Sequence, residues 1–226
     1  VGGEYGAVAT YMSEIALKGQ RGFYASFQYV TLSGGQLLAS LLGVILLAFM
    51  SEQQLMDGGW RIPFVIGGIT AIISLLARSR LEETLSHEDS ERKESGSLRA
   101  LFQKHWKTFL LVVGYTSAGS LTFYVITVYS KTYLTNIGID GKTVGFMMTC
   151  ALFVFMLAQP IFGMISDRIG RRASMLLFSA TSAIFIYPVM VVGMRHFSYS
   201  PVIVTLLLIF LMMLLSFYTS ISGLVK

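Results

Sequence analysis

Charge is scarce in this 226-residue chain. Asp, Glu, Lys and Arg make up 13% of it, against roughly a quarter in an ordinary soluble domain, and 54% is hydrophobic. That leaves too little polar surface for a water-soluble fold, and this class is excluded. Cysteine is scarcer still. Cys150 stands alone in an apolar run, so an intrachain disulfide is excluded and no redox role is indicated. The three histidines, His87, His105 and His196, lie in or beside loops, and no His/Cys cluster has the spacing of metal ligands. No nucleophile–base pair and no cofactor-binding motif is visible, so no enzyme, metal or cofactor is expected. An initiator methionine is absent too. The chain starts inside an apolar stretch, Val1–Ala16, that is too short to cross a bilayer. It reads as an internal fragment, cut within one helix and again at the end of another, in which no signal peptide can be judged.

What is present is apolar length. A spanning helix needs ~20 mostly apolar residues, and six stretches qualify: Phe23–Met50, Trp60–Ala77, Thr108–Leu134, Val144–Ile165, Ser174–Met194 and Pro201–Val225. Their connections are short except for one, so sequential neighbours are expected to be antiparallel hairpins. The expected fold is an all-α, multi-span membrane protein.

The net charge of +5 invites a nucleic-acid partner, and its distribution refuses one. With alternating spans and the Lys18–Arg21 turn placed inside, 13 of the 17 cations fall inside; only Arg61, Lys131, Lys142 and Arg195 fall outside. An excess of Lys and Arg on the cytoplasmic side orients membrane proteins. The long polar segment runs from Arg78 to Lys107. Its middle, Glu82 to Glu94, has no apolar periodicity and reads as a linker. Leu98, Leu101, Phe102, His105 and Trp106 then recur at helical spacing. They suit either a short amphipathic helix at the membrane surface or a solvated lead-in to the next span. The division expected is 1–77, 78–107 and 108–226: helices of one bundle, a cytoplasmic linker, and helices of a second bundle.

Two short matches mislead. Leu32-Ser-Gly-Gly-Gln36 spells a nucleotide-binding signature that works only on a soluble domain beside a phosphate loop, and here it lies within an apolar helix. Gly141-Lys142-Thr143 resembles the end of a phosphate loop, but Asn136 stands where its first glycine is required.

The segment Gly163-Met-Ile-Ser-Asp-Arg-Ile-Gly-Arg-Arg172 is different. Gly163 allows close packing where a helix exits, and Gly170 permits a tight turn with positive φ. Asp167 is placed to accept hydrogen bonds at a helix end or to pair with an arginine. Arg171 and Arg172 suit an anionic cytoplasmic leaflet. A topological anchor needs only the arginines, not the aspartate and both glycines at these offsets. This segment resembles the loop motif of the major facilitator superfamily, in its second copy between helices 8 and 9. Gly2-Gly-Glu-Tyr5, Arg21-Gly-Phe23, Gly59-Trp-Arg-Ile-Pro-Phe64 and Leu81-Glu-Glu-Thr84 resemble the metabolite:proton symporter family within it. Ala9-Thr-Tyr-Met-Ser-Glu14, Gly22 to Thr31, Ala151 to Met156 and Ser216 to Gly223 are similar to its 2-oxoglutarate permeases. The resemblance implies a partial major facilitator fold, from the end of helix 4 through helix 10 of twelve.

Several residues could carry transport, each with a structural alternative. Glu4 lies in an apolar stretch, where a carboxylate is costly; it either couples protons or locks to an arginine outside this chain. Tyr24, Gln28, Thr31 and Gly35 recur at steps of four, three and four and share one face. Gln28 there either meets an oxygen-rich substrate or bonds between helices. Ser120, Tyr124, Thr127 and Lys131 form a second such face, with Lys131 either neutralising a substrate carboxylate or snorkelling outward. Ser216, Thr219 and Gly223 mark a third. Arg61 either attracts a dicarboxylate or forms an interfacial anchor with Trp60. Pro160 and Pro188 should kink their helices.

The resemblance implies proton-coupled uptake of a dicarboxylate, 2-oxoglutarate foremost, by alternating access at a bacterial inner membrane. The expected partners are a small organic anion, a proton and the lipid bilayer, and the full-length protein is expected to be monomeric. Asp167, Arg168 and Arg171 would latch one bundle to the other, and pseudo-symmetry places Asp167 near Gly22. A symporter for citrate or a betaine-like osmolyte, or a non-transporting nutrient sensor on the same fold, are the rivals.

Overall fold

The computed structural model describes residues 6, 8, 9, 11, 12, 14–78 and 106–225. Glu4 and most of the expected linker lie outside these residues, as does the Leu98–His105 pattern. The described residues contain no strand. Among the described residues six helices are long and apolar enough to cross a membrane: α1 (Arg21–Phe49), α2 (Gly59–Ala77), α3 (Trp106–Asn136), α4 (Gly141–Ile169), α5 (Arg171–His196) and α6 (Pro201–Leu224). The shortest has 19 residues, which at 1.5 Å per residue spans ~28 Å, close to the ~30 Å of a hydrocarbon core. Every span expected from apolar length is present.

Helix ends follow from local chemistry. The Asp140 carboxylate caps α4 by accepting the N–H groups of Lys142 (3.0 Å) and Thr143 (3.2 Å), offsetting donors that no earlier turn can satisfy. One residue, Gly170, joins α4 to α5. Its φ of 89° and ψ of 150° lie in a region that only glycine occupies without strain. Two helices are locally underwound, one turn of each holding an extra residue. At Val125–Tyr129 in α3 the Ser130 N–H bonds the carbonyl of Val125, and at Pro188–Gly193 in α5 the Met194 N–H bonds that of Val189. Both are π-helical turns, and the second begins at the proline expected to disturb its helix.

The described chain forms two compact units. One comprises residues 1–44 and 115–226, and its core is built mainly on α4 and α6, the most extensive helix pairing. Met147, Ala151, Leu152 and Phe155 of α4 pack among Leu208, Leu211, Met212 and Leu215 of α6, all buried. Phe178 and Met190 of α5 and Ile126 of α3 close the cluster. Lipid tails are as apolar as these side chains, so close packing and hydrogen bonding, rather than escape from water, must hold the helices together. Tyr218 shows how close the packing is. Its ring is stacked on Phe178 (centroids 5.1 Å) and edge-on to Tyr115 (5.0 Å), and a β-carbon on Gly119 would fall on that ring.

The second unit comprises residues 45–114. Ser51 and Gln54 form a reciprocal capping box on the short helix Glu52–Asp57, satisfying two orphan donors at once. Gly58, with φ of 155°, turns the chain into α2. The apolar window of α2 buries none of its residues; Phe64 and Leu75 are among its large exposed side chains.

Candidate functional site

The loop segment Gly163–Arg172 and the start of α1 meet at a crossing of two glycines. A β-carbon on Gly22 would lie 2.5 Å from the Gly163 carbonyl oxygen, and one on Gly163 would lie 2.5 Å from that of Gly22. No side chain larger than hydrogen fits at either position without moving backbone. Four residues beyond Gly163, one turn of α4 presents Asp167. Its Oδ1 accepts the Gly22 N–H at 2.7 Å and its Oδ2 accepts the Phe23 N–H at 3.0 Å. The first turn of α1 is therefore capped by a carboxylate from another helix, which supplies both hydrogen bonds and a charge complementary to the helix N-terminus. This explains why α1 begins at Arg21 rather than at Phe23, where the apolar run begins. Of the two roles open to Asp167 in the sequence, the structure selects helix-end acceptor. Arg168, Arg171 and Arg172 are exposed.

A second feature lies between α1 and α3. Tyr29, Leu32 and Gln36 face Ser120, Phe123 and Tyr124 across a cavity of about 400 Å³. That is within the range of small-molecule sites, which pair apolar walls with a few polar groups. Ser120 and Tyr124 were expected on one polar stripe, and both line the cavity. Their partners in sequence leave that stripe: Thr127 is buried, its hydroxyl bonding the Phe123 carbonyl at 2.7 Å, and the exposed Lys131 is not part of the cavity wall. The cause is the π-helical turn at Val125–Tyr129. An extra residue in one turn rotates everything beyond it by ~100° relative to a continuous α-helix.

The α1 stripe divides differently. Tyr24 is half-buried with its ring edge-on to Phe23, and Gln28 is buried, its amide oxygen lying where a β-carbon on Gly223 of α6 would sit. Thr31, whose hydroxyl bonds the Gln28 carbonyl at 2.8 Å, and Gly35 are exposed. Neither Tyr24 nor Gln28 lines the cavity. Tyr29 and Gln36 do, and the sequence reading missed both. They stand seven residues apart on an apolar helix, a spacing that would have revealed a shared face. Arg61, in the 45–114 unit, is exposed with its guanidinium 5.3 Å from the Trp60 ring centroid, the cation–π arrangement of an interfacial pair.

A third polar group went unread. Gln159 of α4 is fully buried; its Nε2 donates to the Phe155 carbonyl (3.2 Å) and to Ser216 Oγ (3.1 Å), and its Oε1 accepts from Thr219 Oγ1 (2.8 Å). This explains the Ser216–Thr219 stripe as an interhelical joint.

Comparison with known proteins adds to this geometry. A family model described as Major Facilitator Superfamily matches residues 1–225. The alpha-ketoglutarate permease of Escherichia coli K12 is 49% identical over the whole chain, which covers 52% of that relative. The citrate-proton symporter of Salmonella typhi is 33% identical over 84% of this chain and 44% of its own length. The proline/betaine transporter of Escherichia coli K12 is 31% identical over 83% of this chain and 40% of its own length. The chain thus spans about half the length of the curated relatives it matches. No solved structure matches it.

Proposed function

The chain belongs to the major facilitator superfamily, and on that premise we propose that the protein containing it is a proton-coupled carrier for a dicarboxylate, 2-oxoglutarate foremost, working by alternating access. The observation that carries this reading is the 49% identity, sustained along the entire chain, to a protein named for alpha-ketoglutarate. Six spans and bacterial relatives place the chain in a multi-pass inner-membrane protein. Residues 1–77 belong to one helical bundle, 108–226 to the other, and 78–107 connect them. Carriers of this kind hold substrate near the membrane midplane between their bundles.

In this reading the Asp167 bonds to Gly22 and Phe23 join the two bundles at the cytoplasmic face, because α1 belongs to the first and α4 to the second. They form while that face is closed and break when it opens. Gly163 and Gly22 set the closeness of approach, and Gly170 sets the turn that presents Arg171 and Arg172 to the leaflet. The polar wall of Tyr29, Gln36, Ser120 and Tyr124 supplies hydrogen-bonding groups to the substrate path. Tyr24 and Gln28 act in packing, Arg61 anchors α2 at the interface, and Lys131 draws anions toward the outer end of α3. Glu4 takes and releases the coupled proton. The protein transports and does not catalyse covalent change, and it works as a monomer.

Uptake of labelled 2-oxoglutarate into proteoliposomes carrying the full-length protein, with and without an inward proton gradient, tests the reading. Gradient-dependent accumulation supports it. Accumulation of citrate, proline or betaine in its place would transfer the assignment to that solute, since proteins named for these solutes are also relatives. Binding of 2-oxoglutarate without accumulation would point to a sensor.

A further inference from the structure

The seam between α1 and α4 runs from one end of the two helices to the other. At its cytoplasmic end lie the Gly22–Gly163 crossing and the Asp167 bonds. Beside the middle residues of the helices, Gly35 and Phe155, a β-carbon on Gly34 would lie 3.6 Å from the Met156 sulfur, an ordinary contact. Toward the outer end, Val44 stands 3.6 Å from a β-carbon placed on Gly145. Between those two places a pair of hydroxyls bridges the helices, with Ser40 Oγ and Thr149 Oγ1 2.8 Å apart.

The direction of that bond follows from its surroundings. Thr149 Oγ1 donates its single proton to the Gly145 carbonyl of its own helix at 2.8 Å, so it accepts the proton of Ser40. When the helices part here, Thr149 keeps the partner of its proton. The Ser40 hydroxyl turns back to a carbonyl one turn earlier on α1, as serines inside helices do. The outer contact is thus a neutral bond whose loss strands no donor, which suits a closure that is made and broken in every cycle.

A carrier that works by alternating access opens one side while the other stays shut. Here both ends of the seam are shut. Resting on the reading that α1 and α4 belong to opposite bundles of such a carrier, we propose that Ser40 and Thr149 form an outer latch, the counterpart of the Asp167 joint. The seam rocks about Gly34 and Met156. This pivot adjoins Leu32 and Gln36, which line the α1–α3 cavity, so rocking opens that cavity to one side at a time. Two closures on one rocking seam oppose each other, because each open state draws on the same population. That antagonism separates a latch from a bond that merely holds two helices together.

The test uses the full-length protein in right-side-out vesicles, with Cys150→Ala and a Val44→Cys reporter at the outer end of the seam. A membrane-impermeant maleimide labels the reporter. Ser40→Ala should raise the labelling rate several-fold, while Ser40→Thr, which keeps the hydroxyl, should hold it near the background. Asp167→Ala should lower the rate, because the cytoplasmic end then opens at the expense of the outer one. Labelling needs no substrate, so an error in the 2-oxoglutarate assignment appears in uptake alone and leaves this readout untouched. A rate that Ser40→Ala does not raise, that Ser40→Thr raises as much, or that Asp167→Ala does not lower, overturns the inference.

Discussion

The Asp167 carboxylate holds the backbone of Gly22, 145 residues away in sequence, at 2.7 Å and that of Phe23 at 3.0 Å. A helix cap supplied from another helix does two things. It stabilises the capped end by ~0.5–2 kcal/mol, and it makes that stability conditional on the two helices staying together. A cap of this kind suits a reversible joint.

Asp167→Ala should therefore weaken closure rather than unfold the protein. Asp167→Asn should be almost as severe, because its amide nitrogen would face a second donor where an oxygen now accepts. Ser26 is fully buried and lies at the glycine crossing, its β-carbon 3.0 Å from a β-carbon placed on Gly163. In a Cys150→Ala background, a Ser26→Cys reporter should react with maleimide several-fold faster in inside-out vesicles once Asp167 is replaced. An unchanged labelling rate would remove the joint from the mechanism.

Gly170 separates strain from crowding. A β-carbon there would meet nothing within 4 Å, yet its φ is 89° and its ψ is 150°. Gly170→Ala should cost ~1–3 kcal/mol through backbone strain alone. Gly141, at the start of α4, is equally open and has no positive φ, so Gly141→Ala should be neutral or stabilising by up to ~1 kcal/mol. Melting temperatures of the two variants in detergent give the comparison, and equal shifts would defeat it.

The six spans were legible because bilayer thickness imposes a length that hydropathy reveals directly. Gly170 was legible because a motif with two arginines and no other small residue at that point leaves glycine to make the turn. Asp167 beside Gly22 followed from internal symmetry. Lys131 was misplaced on its face because nothing in Val125–Tyr129 announces an extra residue in the turn. Gln159 escaped because its partners, Ser216 and Thr219, lie on a helix that sequence order does not place beside it. Tyr29 and Gln36 escaped because they stand among apolar neighbours, whereas the closer polar spacing of Tyr24, Gln28 and Thr31 marks a neighbouring face of the same helix.

The cavity between α1 and α3 predicts a kinetic signature. Gln36→Leu removes a polar group at similar volume, and Tyr124→Phe removes one hydroxyl. If each contacts a carboxylate in the ground state, the loss of one such bond, ~1.4 kcal/mol, raises KM about tenfold. Maximal uptake should stay near that of the unmodified protein, since binding is lost equally before and during translocation. Initial-rate uptake of 2-oxoglutarate by the two variants provides the readout. Unchanged KM in both would place the substrate path elsewhere.

Gly119 and Tyr218 should behave as a coupled pair. Adding one methyl at Gly119 forces the Tyr218 ring away from Phe178 and Tyr115, an overpacking cost of ~1–3 kcal/mol. Replacing Tyr218 with Leu frees that space, so Gly119→Ala should be far less harmful in a Tyr218→Leu background. Melting temperatures of the two single variants and the double complete the cycle. Simple additivity would show that the ring does not occupy the space above Gly119.

The Gln159 joint predicts an asymmetry between its two sides. Ser216 Oγ also bonds the Met212 carbonyl at 2.9 Å, and Thr219 Oγ1 also reaches the Leu215 carbonyl at 3.3 Å. Both hydroxyls therefore keep a partner on their own helix when Gln159 is replaced by Leu. Interhelical bonds in membranes contribute roughly 0.6 kcal/mol on average, so Gln159→Leu should cost about 1 kcal/mol. Thr219→Val is the reverse case. It leaves the Gln159 Oε1, fully buried, without the donor it now accepts from, and an orphaned buried acceptor costs ~1–3 kcal/mol. Thr219→Val should thus lower the melting temperature more than Gln159→Leu, although it removes only one of the three bonds that Gln159 makes. The opposite order would mean that Gln159 finds another donor once Thr219 is replaced.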